Sequence, residues 1–222
     1  MNRDDPGKQW QMNLAETRGQ YGIGELSESD MDSSPFVQFA KWYKDAEAAC
    51  RSFPNNMILS TVDENNAPFS RVVLLKTMDA HGFVFFTNYK SRKGQQLEAN
   101  RAASITIFWP ELERQVNISG LSEKVSATES DKYFAIRPRG SQIGAWVSNQ
   151  SENIPSRETL THEKDRLEEL YLDREIPRPP HWGGFRIHPQ RLEFWQGQPD
   201  RLHDRLEYAL NNDKWALKRL AP

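Results

Sequence analysis

The sequence predicts a mainly β fold of the α+β class, in which antiparallel strands form a barrel and helices lie at its periphery. Short segments of alternating apolar residues follow one another, and turn-rich stretches such as 63–68 (DENNAP) and 79–82 (DAHG) separate them. Strands in this arrangement pair with their neighbours in the sequence. Neither a βαβ alternation nor a Gly-rich phosphate loop occurs, which argues against a Rossmann sheet.

The composition limits the class of protein. The 222 residues carry 29 basic and 31 acidic side chains, a net charge of −2, whereas a nucleic-acid partner usually requires a basic face. The single cysteine, Cys50, leaves no disulfide framework and no thiol cluster for zinc, and it favours a reducing compartment. The N-terminus has no apolar signal segment, and no apolar run approaches membrane-spanning length. We therefore expect a soluble cytoplasmic protein without a nucleic-acid partner, a membrane partner or a bound metal.

The N-terminal part divides into a polar segment and the start of the folded domain. Residues 1–32 are polar and contain several glycines, so we expect them to be mobile when nothing is bound, with 33–222 forming the domain. The first helix is capped by Ser33 or Ser34, has Pro35 in its first turn and presents one apolar stripe. An antiparallel meander of three strands follows, at 57–62, 69–77 and 83–87.

Capping signals mark the later helices. Ser91 is expected to cap a short helix that runs through Leu97. Thr128 with Asp131 resembles a capping box at the start of a helix that Pro138 ends. Further helices are predicted at 141–147 and 156–173, and further strands at 102–109, 115–125, 184–187, 191–196, 206–210 and 215–220.

The segment Leu192–Arg205, LEFWQGQPDRLHDR, concentrates stackable and cationic groups. It holds Trp195, Arg201, His203 and Arg205 within a predicted strand and turn. An apolar core would have to pair or neutralise each of these charges. The segment therefore predicts one wall of a pocket for a flat, anionic ligand.

This segment resembles the C-terminal motif of the pyridoxamine 5'-phosphate oxidases, which are FMN enzymes of vitamin B6 metabolism. The family pattern is aliphatic-Glu-aromatic-Trp-Gln, a four-residue spacer and Arg-aliphatic-His-Asp-Arg, and every position is met here. The resemblance extends over roughly residues 18–222 and implies an FMN-binding split β-barrel. Other family motifs recur in order, namely RVVLLK (71–76), SRK (91–93), ERQV (113–116), RPRGSQIGAW (137–146) and RLAP (219–222).

The resemblance also implies an activity. Members oxidise pyridoxamine 5'-phosphate and pyridoxine 5'-phosphate to pyridoxal 5'-phosphate with O2 as acceptor, releasing H2O2 and, from the amine, ammonia. The expected protein is thus a pyridoxal 5'-phosphate synthase of vitamin B6 biosynthesis and salvage, and a homodimer whose flavin sites draw on both chains. Two alternatives remain open: a related split-barrel flavin reductase, and a non-catalytic pyridoxal-phosphate carrier.

Several basic residues suit an anionic cofactor. Arg71 and Lys76 are separated by an odd number of residues, which places them on opposite faces of a strand, although both can also be exposed edge charges. Arg92 and Lys93 begin a helix, where free backbone N–H groups and the helix dipole favour an anion, although a solvated helix end is the alternative. By resemblance, the cofactor contacts are Arg71, Val72, Val73, Leu74, Leu75, Lys76, Phe86, Thr87, Arg92, Lys93, Gln115, Gln150, Ser151, Trp195 and Arg205.

A second group suits the phosphate of a substrate. Tyr133 and Arg137 are four apart on a predicted helix, and Ser141 begins the next one, so two hydroxyls and a guanidinium can hold a phosphate. The alternative is a core tyrosine and a surface arginine. By resemblance, these three residues and Lys76 bind the substrate phosphate.

Arg201 and His203 are the predicted catalytic residues. They are two apart and point the same way if the strand continues through them, and the resemblance places both against the substrate ring. A histidine can exchange a proton with the substrate near neutral pH, although His203 can also simply hydrogen-bond Asp204 or Glu193.

The segment 18–21, RGQY, corresponds to a part of the family that closes over the substrate. It makes Arg18 and Tyr21 predicted substrate contacts and residues 1–32 a proposed lid. Gly19 and Gln20 depart from the family pattern within this segment, and Glu152 departs from it after the QS pair, where it bears on the packing around the flavin.

Overall fold

The computed structural model describes residues 19–51 and 53–222. Its centre is a curled antiparallel half-barrel sheet, with the strand order β2-β1-β5-β6-β7-β4-β3, to which β8 is added beside β7 and β9 beside β8. The strands are β1 (Asn56–Val62), β2 (Pro68–Leu74), β3 (Thr77–Asp79), β4 (Gly82–Asn88), β5 (Ala102–Trp109), β6 (Arg114–Lys124), β7 (Trp182–Gln196), β8 (Asp204–Asn211) and β9 (Lys214–Arg219).

The sheet differs from the prediction at β7, which is one strand of 15 residues rather than two strands at 184–187 and 191–196. Pro189 lacks an N–H donor, and a bulge in β7 at Gln190, where the register shifts opposite Ser119 and Gly120 of β6, absorbs the irregularity. A Cβ at Gly120 would lie 2.0 Å from the His188 carbonyl oxygen, so only glycine allows this approach. The first part of β7 pairs with β4 and the last part with β8, and β6 pairs with it from Phe185 to Gln196.

The described residues form five α-helices around the sheet, and the central core lies between α1 and the sheet. One prediction about their ends is wrong, because Ser126 rather than Thr128 caps α3, accepting a 3.0 Å hydrogen bond from Glu129 N. Thr128 lies inside the helix. No helix of the described residues is long and apolar enough to cross a membrane. The helices are α1 (Pro35–Ala49), α2 (Arg92–Ala99), α3 (Ala127–Ala135), α4 (Arg139–Val147) and α5 (Arg157–Leu170).

Candidate active site

A cavity of about 1030 Å³ opens between β2, β4, the N-terminus of α2 and the α3–α4 turn. Most of the residues expected to bind cofactor and substrate phosphate line it together. Leu75 does not, because its side chain is buried in the central core. The predicted residues that line the cavity are Arg71, Val72, Val73, Leu74, Lys76, Phe86, Thr87, Arg92, Lys93, Tyr133, Arg137, Ser141, Gln150 and Ser151.

Arg71 is held at the cavity wall by neutral acceptors. Its guanidinium donates to the Leu59 carbonyl at 3.2 Å, to Thr61 Oγ1 at 2.6 Å and to Gln96 Oε1 at 3.1 Å. Burial, and then the nearby charge of Arg92, lower the pKa of Arg71. The arginine is therefore fixed in direction while its charge stays uncompensated.

Lys93 is held in the same manner. Its ammonium donates to Thr87 Oγ1 at 3.2 Å, to Ser91 Oγ at 3.3 Å and to Gln150 Oε1 at 2.8 Å. Burial, and then repulsion by Arg71, lower the pKa of Lys93 to about 8. A cation with a depressed pKa among neutral partners favours the arrival of an anion.

The start of α2 adds backbone donors to these cations. Ser91 caps the helix as predicted, accepting from Gly94 N at 3.3 Å, and Arg92 N donates to Ser151 Oγ at 3.2 Å. The positive end of the helix dipole thus faces the cavity beside Arg92 and Lys93.

Arg137 is the centre of a second cluster. Its guanidinium lies 4.5 Å from the ring centre of Trp182, and its Nη1 is buried without a hydrogen-bond partner among the described residues. Burial lowers the pKa of Arg137. A buried, unpaired guanidinium N–H beside a cavity is costly unless a ligand accepts from it.

The geometry around Arg137 departs from the prediction in one respect. The helix α3 ends at Ala135, so Tyr133 and Arg137 do not share a helix face, and Arg137 lies in the turn before α4. Both still line the cavity with Ser141, which lies in the first turn of α4. The turn, rather than a shared helix face, therefore brings the three side chains to one cavity.

Trp182 is a cavity residue that the sequence analysis missed. It stacks with Phe86 at 5.4 Å, and Phe86 stacks with Tyr133 at 4.0 Å, so three aromatic rings connect β7, β4 and α3. No motif marks Trp182, and the two glycines that follow it are the only local signal.

The prediction that Arg71 and Lys76 point to opposite faces of one strand is wrong. Strand β2 ends at Leu74, and the chain turns so that Lys76 N bonds the Val84 carbonyl at 2.9 Å. Both cations line the same cavity. Because β2 ends before Lys76, the alternation of side chains along a strand does not decide where Lys76 points.

The remaining predicted residues form a separate surface, which we call the C-terminal patch. Gln115, Trp195 and Arg205 are direct neighbours across β6, β7 and β8. Arg205 donates to both carboxylate oxygens of Glu193, at 2.8 and 3.1 Å. None of these residues lines the cavity. The C-terminal patch consists of Tyr21, Gln115, Trp195, Arg201, His203 and Arg205.

The aromatic rings of the patch are in contact. The His203 ring centre lies 4.6 Å from that of Trp195, and the Tyr21 ring lies edge-on to both at 5.5 Å. His203 Nδ1 accepts from Gln198 N at 3.1 Å, so neither alternative partner proposed from the sequence is its partner. Arg18 lies outside the described residues.

The strand does not continue through Arg201 and His203, which contradicts that part of the prediction. Pro199–Arg201 forms a 3₁₀ turn in which Asp200 and Arg201 have φ of 53° and 63°, and β8 begins only at Asp204. Arg201 is exposed on this turn. Its direction is set by the left-handed backbone and not by strand alternation.

The cations of the cavity share one electrostatic property. None of Arg71, Lys76, Arg92, Lys93 and Arg137 forms an ion pair with a carboxylate of residues 19–51 or 53–222. Their partners are hydroxyls, amides and ring faces. Such a donor set fits a ligand, or two ligands, carrying phosphate groups.

Comparison with known proteins agrees with this chemistry. Residues 44–171 match the family described as pyridoxamine 5'-phosphate oxidase, and residues 182–222 match the C-terminal dimerisation region of pyridoxine 5'-phosphate oxidase. The chain thus carries the region through which that family dimerises, and the C-terminal patch lies largely within it.

Individual relatives cover nearly the whole chain. A pyridoxine/pyridoxamine 5'-phosphate oxidase of Cyanothece sp. is 50% identical over 95% of this chain and 99% of its own length, and one of Nostoc sp. is 52% identical over 94% and 98%. PhzG from Burkholderia lata, solved with tetrahydrophenazine-1-carboxylic acid, superposes with a TM-score of 0.86 at 30% identity, covering 92% of this chain and 100% of that one.

A more distant structure supports the fold alone. A pyridoxamine 5'-phosphate oxidase-related, FMN binding protein from Nostoc punctiforme superposes with a TM-score of 0.68 at 15% identity, over 86% of this chain and 100% of that one. The half-barrel is therefore a split barrel of this type, as the sequence predicts. Taken with the matches over both parts of the chain, these likenesses show that the chain belongs to the pyridoxamine 5'-phosphate oxidase family.

Proposed function

We propose that this protein is an FMN-dependent oxidase of vitamin B6 biosynthesis and salvage, which converts pyridoxamine 5'-phosphate and pyridoxine 5'-phosphate to pyridoxal 5'-phosphate. The observation that carries the proposal is the pair of cation clusters, around Arg71 and Lys93 and around Arg137, that line one cavity without carboxylate partners. Two clusters suit two phosphates, one on the cofactor and one on the substrate. The family and its named members, at about half identity, support the same assignment.

The first cluster would hold FMN. Arg71, Arg92 and Lys93 would bind its phosphate together with the N-terminus of α2, and Gln150 and Ser151 would supply neutral hydrogen bonds. The phosphate would stabilise the charged form of Lys93, which burial disfavours. The backbone and side chains of β2 and β4, around Val72–Leu74 and Phe86, would border the flavin.

The second cluster would hold the substrate. Arg137 would use its unpartnered Nη1 on the substrate phosphate, with hydroxyls from Tyr133 and Ser141 and the ammonium of Lys76. Binding energy from this remote phosphate fixes the position of the reacting carbon.

The C-terminal patch would supply the groups beside the two rings. Bound FMN would supply the redox chemistry, namely hydride acceptance from the substrate C4' carbon and reduction of O2 to H2O2. In neutral His203, the bond from Gln198 N to Nδ1 leaves the proton on Nε2, which gives the ring a defined donor toward the substrate. Arg201 would contribute a cation to the substrate ring, and Trp195 and Arg205 would border the flavin.

The patch and the cavity are separate within one chain, so we propose that the active site is completed across a homodimer. The dimerisation region at 182–222 contains Trp195, Arg201, His203 and Arg205, and this placement supports a contribution from one chain to the cavity of the other. Cys50 as the only cysteine supports a cytoplasmic location.

Purified protein tests the proposal directly. The expected result is a yellow protein with flavin absorbance that releases peroxide with both phosphorylated vitamers. Bound flavin without peroxide release would favour a reductase, whereas a colourless protein that binds pyridoxal 5'-phosphate would favour a carrier. Either outcome would overturn the proposal.

A further inference from the structure

Two buried polar residues behind the cavity wall have no assigned role. Gln96, on the inner face of α2, is 5% exposed, and Thr61, on β1, is 2% exposed. Gln96 Oε1 accepts from Thr61 Oγ1 at 2.7 Å and from Arg71 Nη2 at 3.1 Å. Thr61 Oγ1 in turn accepts from Arg71 Nη1 at 2.6 Å. The three side chains form a closed triangle in which every contact is a hydrogen bond.

The chemical character of this triangle is unusual for a half-buried arginine. Outside the cavity, arginines with little side-chain exposure, such as Arg186 and Arg178, pair with the carboxylates of Asp79 and Asp131. In place of a carboxylate, Arg71 has the side-chain amide of Gln96 and the hydroxyl of Thr61 as partners. A carboxylate would bind the guanidinium more strongly, but it would also cancel the charge.

Gln96 also connects Arg71 to the other phosphate-binding groups. It lies in the helix whose first turn carries Arg92 and Lys93, one turn beyond Lys93. An arginine tied to this helix keeps a fixed position relative to the helix N-terminus. The triangle therefore sets both the direction of Arg71 and its distance from the remaining donors.

We infer that Gln96, supported by Thr61, is a positioning residue that aims Arg71 at the phosphate of the bound flavin while leaving its positive charge uncompensated. This inference rests on the proposed FMN site. It assigns Gln96 an electrostatic requirement, neutrality, in addition to its hydrogen bonds. Phosphate binding, rather than folding or ring binding, is the property that depends on it.

Gln96→Glu tests the requirement for neutrality, because it nearly preserves shape and can strengthen the bond to Arg71 while adding a negative charge. We expect FMN affinity of the apoprotein to fall about ten-fold or more, the loss typical of one weakened charge-assisted bond. Affinity for riboflavin, which lacks the phosphate, should change by less than about two-fold on the same scale. Quenching of flavin fluorescence measures both dissociation constants.

Gln95→Glu is the matched control, since Gln95 is exposed on the same helix and the substitution adds the same charge. It should leave both affinities near those of the wild type. Equal loss of FMN and riboflavin in Gln96→Glu would overturn the inference in favour of a purely structural role, and so would unchanged FMN binding.

A second pair of variants keeps the inference testable if Gln96→Glu does not fold. Thr61→Val removes the hydroxyl that joins Arg71 to Gln96 and should weaken FMN more than riboflavin, whereas Thr61→Ser should restore FMN affinity. Failure of Thr61→Ser to restore it would contradict the inference. Wild-type apoprotein that binds neither flavin would instead refute the proposed function itself.

Discussion

Arg205 on β8 and Glu193 on β7 form a two-pronged ion pair, with N–O distances of 2.8 and 3.1 Å. The hydrogen bonds that Arg205 donates to Glu193 raise the pKa of Arg205 and orient its guanidinium, and Trp195 is its direct cross-strand neighbour. The carboxylate belongs to the C-terminal motif and is the less exposed partner, 14% against 31% for Arg205. Its role is therefore to orient Arg205.

Glu193→Gln should reduce turnover while FMN remains bound. The amide oxygen can accept only one of the two bonds and the charge is lost, so Arg205 is held less firmly, although its Nη1 keeps the bond to the Ala221 carbonyl. We expect peroxide release to fall about ten-fold, the value of one charge-assisted hydrogen bond. Glu123→Gln, which alters an exposed carboxylate on β6, is the control. Unchanged turnover in Glu193→Gln would show that Arg205 needs no such support.

Lys93 predicts an unusual pH dependence of FMN binding. Its pKa is lowered to about 8, so above pH 8 the free protein must take up a proton when the phosphate binds. FMN affinity should therefore weaken as pH rises from 8 towards 10. Titrations of FMN at a series of pH values measure this slope. Lys93→Arg should abolish it, because arginine stays charged throughout.

The same depressed pKa has the opposite effect on the stability of the apoprotein. Between pH 8 and the ordinary lysine value of 10.5, the unfolded chain binds more protons at this position than the folded chain. The contribution of Lys93 to stability should accordingly increase with pH in this window and vanish in Lys93→Met. Urea unfolding of both apoproteins at pH 7.5 and 9.5 compares the two, and equal pH responses would refute the shift.

Arg201 and Lys93 should separate turnover from cofactor retention. Arg201→Ala removes a cation of the C-terminal patch and should impair peroxide release more than it reduces bound flavin. Lys93→Ala removes three hydrogen bonds in the cavity and should chiefly loosen FMN. Flavin content after gel filtration and peroxide release are measured for both. Equal flavin loss in the two variants would contradict the division of roles.

Trp182→Phe tests the support of Arg137. Phenylalanine keeps the stack on Phe86 but offers a weaker ring face to the guanidinium, a difference of about 1 kcal/mol or less. We expect KM for both vitamers to rise several-fold with little change in FMN affinity. Trp215→Phe, on β9, is the control. A change in FMN affinity alone would place Trp182 with the cofactor instead.

Gly120→Ala should destabilise the fold strongly. The new Cβ would lie 2.0 Å from the His188 carbonyl oxygen and would force β6 and β7 apart at the bulge. We expect a loss of about 2–4 kcal/mol in the free energy of unfolding, read from denaturant midpoints. Gly140→Ala, in α4, meets nothing within 4 Å and should be neutral or slightly stabilising. Similar midpoints for the two variants would contradict the packing argument.

Local signals in the sequence predicted much of this architecture. The apolar alternation at 102–109 gives β5 with both ends correct, and Ser91 caps α2 as expected. These features depend on neighbouring residues alone. The continuity of β7 was not predictable in this way, because it depends on a bulge at Gln190 opposite Ser119 and Gly120, which are distant in sequence.

The same distinction applies to the site. The cations of the cavity belong to family motifs and were named in advance, whereas Gln96, Thr61 and Trp182 act through contacts between distant elements and carry no motif. The turn at Arg201 was missed because non-glycine residues adopt its positive φ. The spacing of the motifs along the sequence does not show that the C-terminal patch and the cavity lie apart in the folded chain.

The long strand β7 places Trp182 at one end and Trp195 near the other. Inserting or deleting one residue between them would turn every later side chain of the strand to the opposite face of the sheet. One of the two tryptophans would then lose its present contacts. Changes in chain length are consequently tolerable only in the stretches outside the ladder, such as 148–156 and 171–181. The number of residues in β7 therefore fixes the spacing between Trp182, which lines the cavity, and Trp195, which lies in the C-terminal patch.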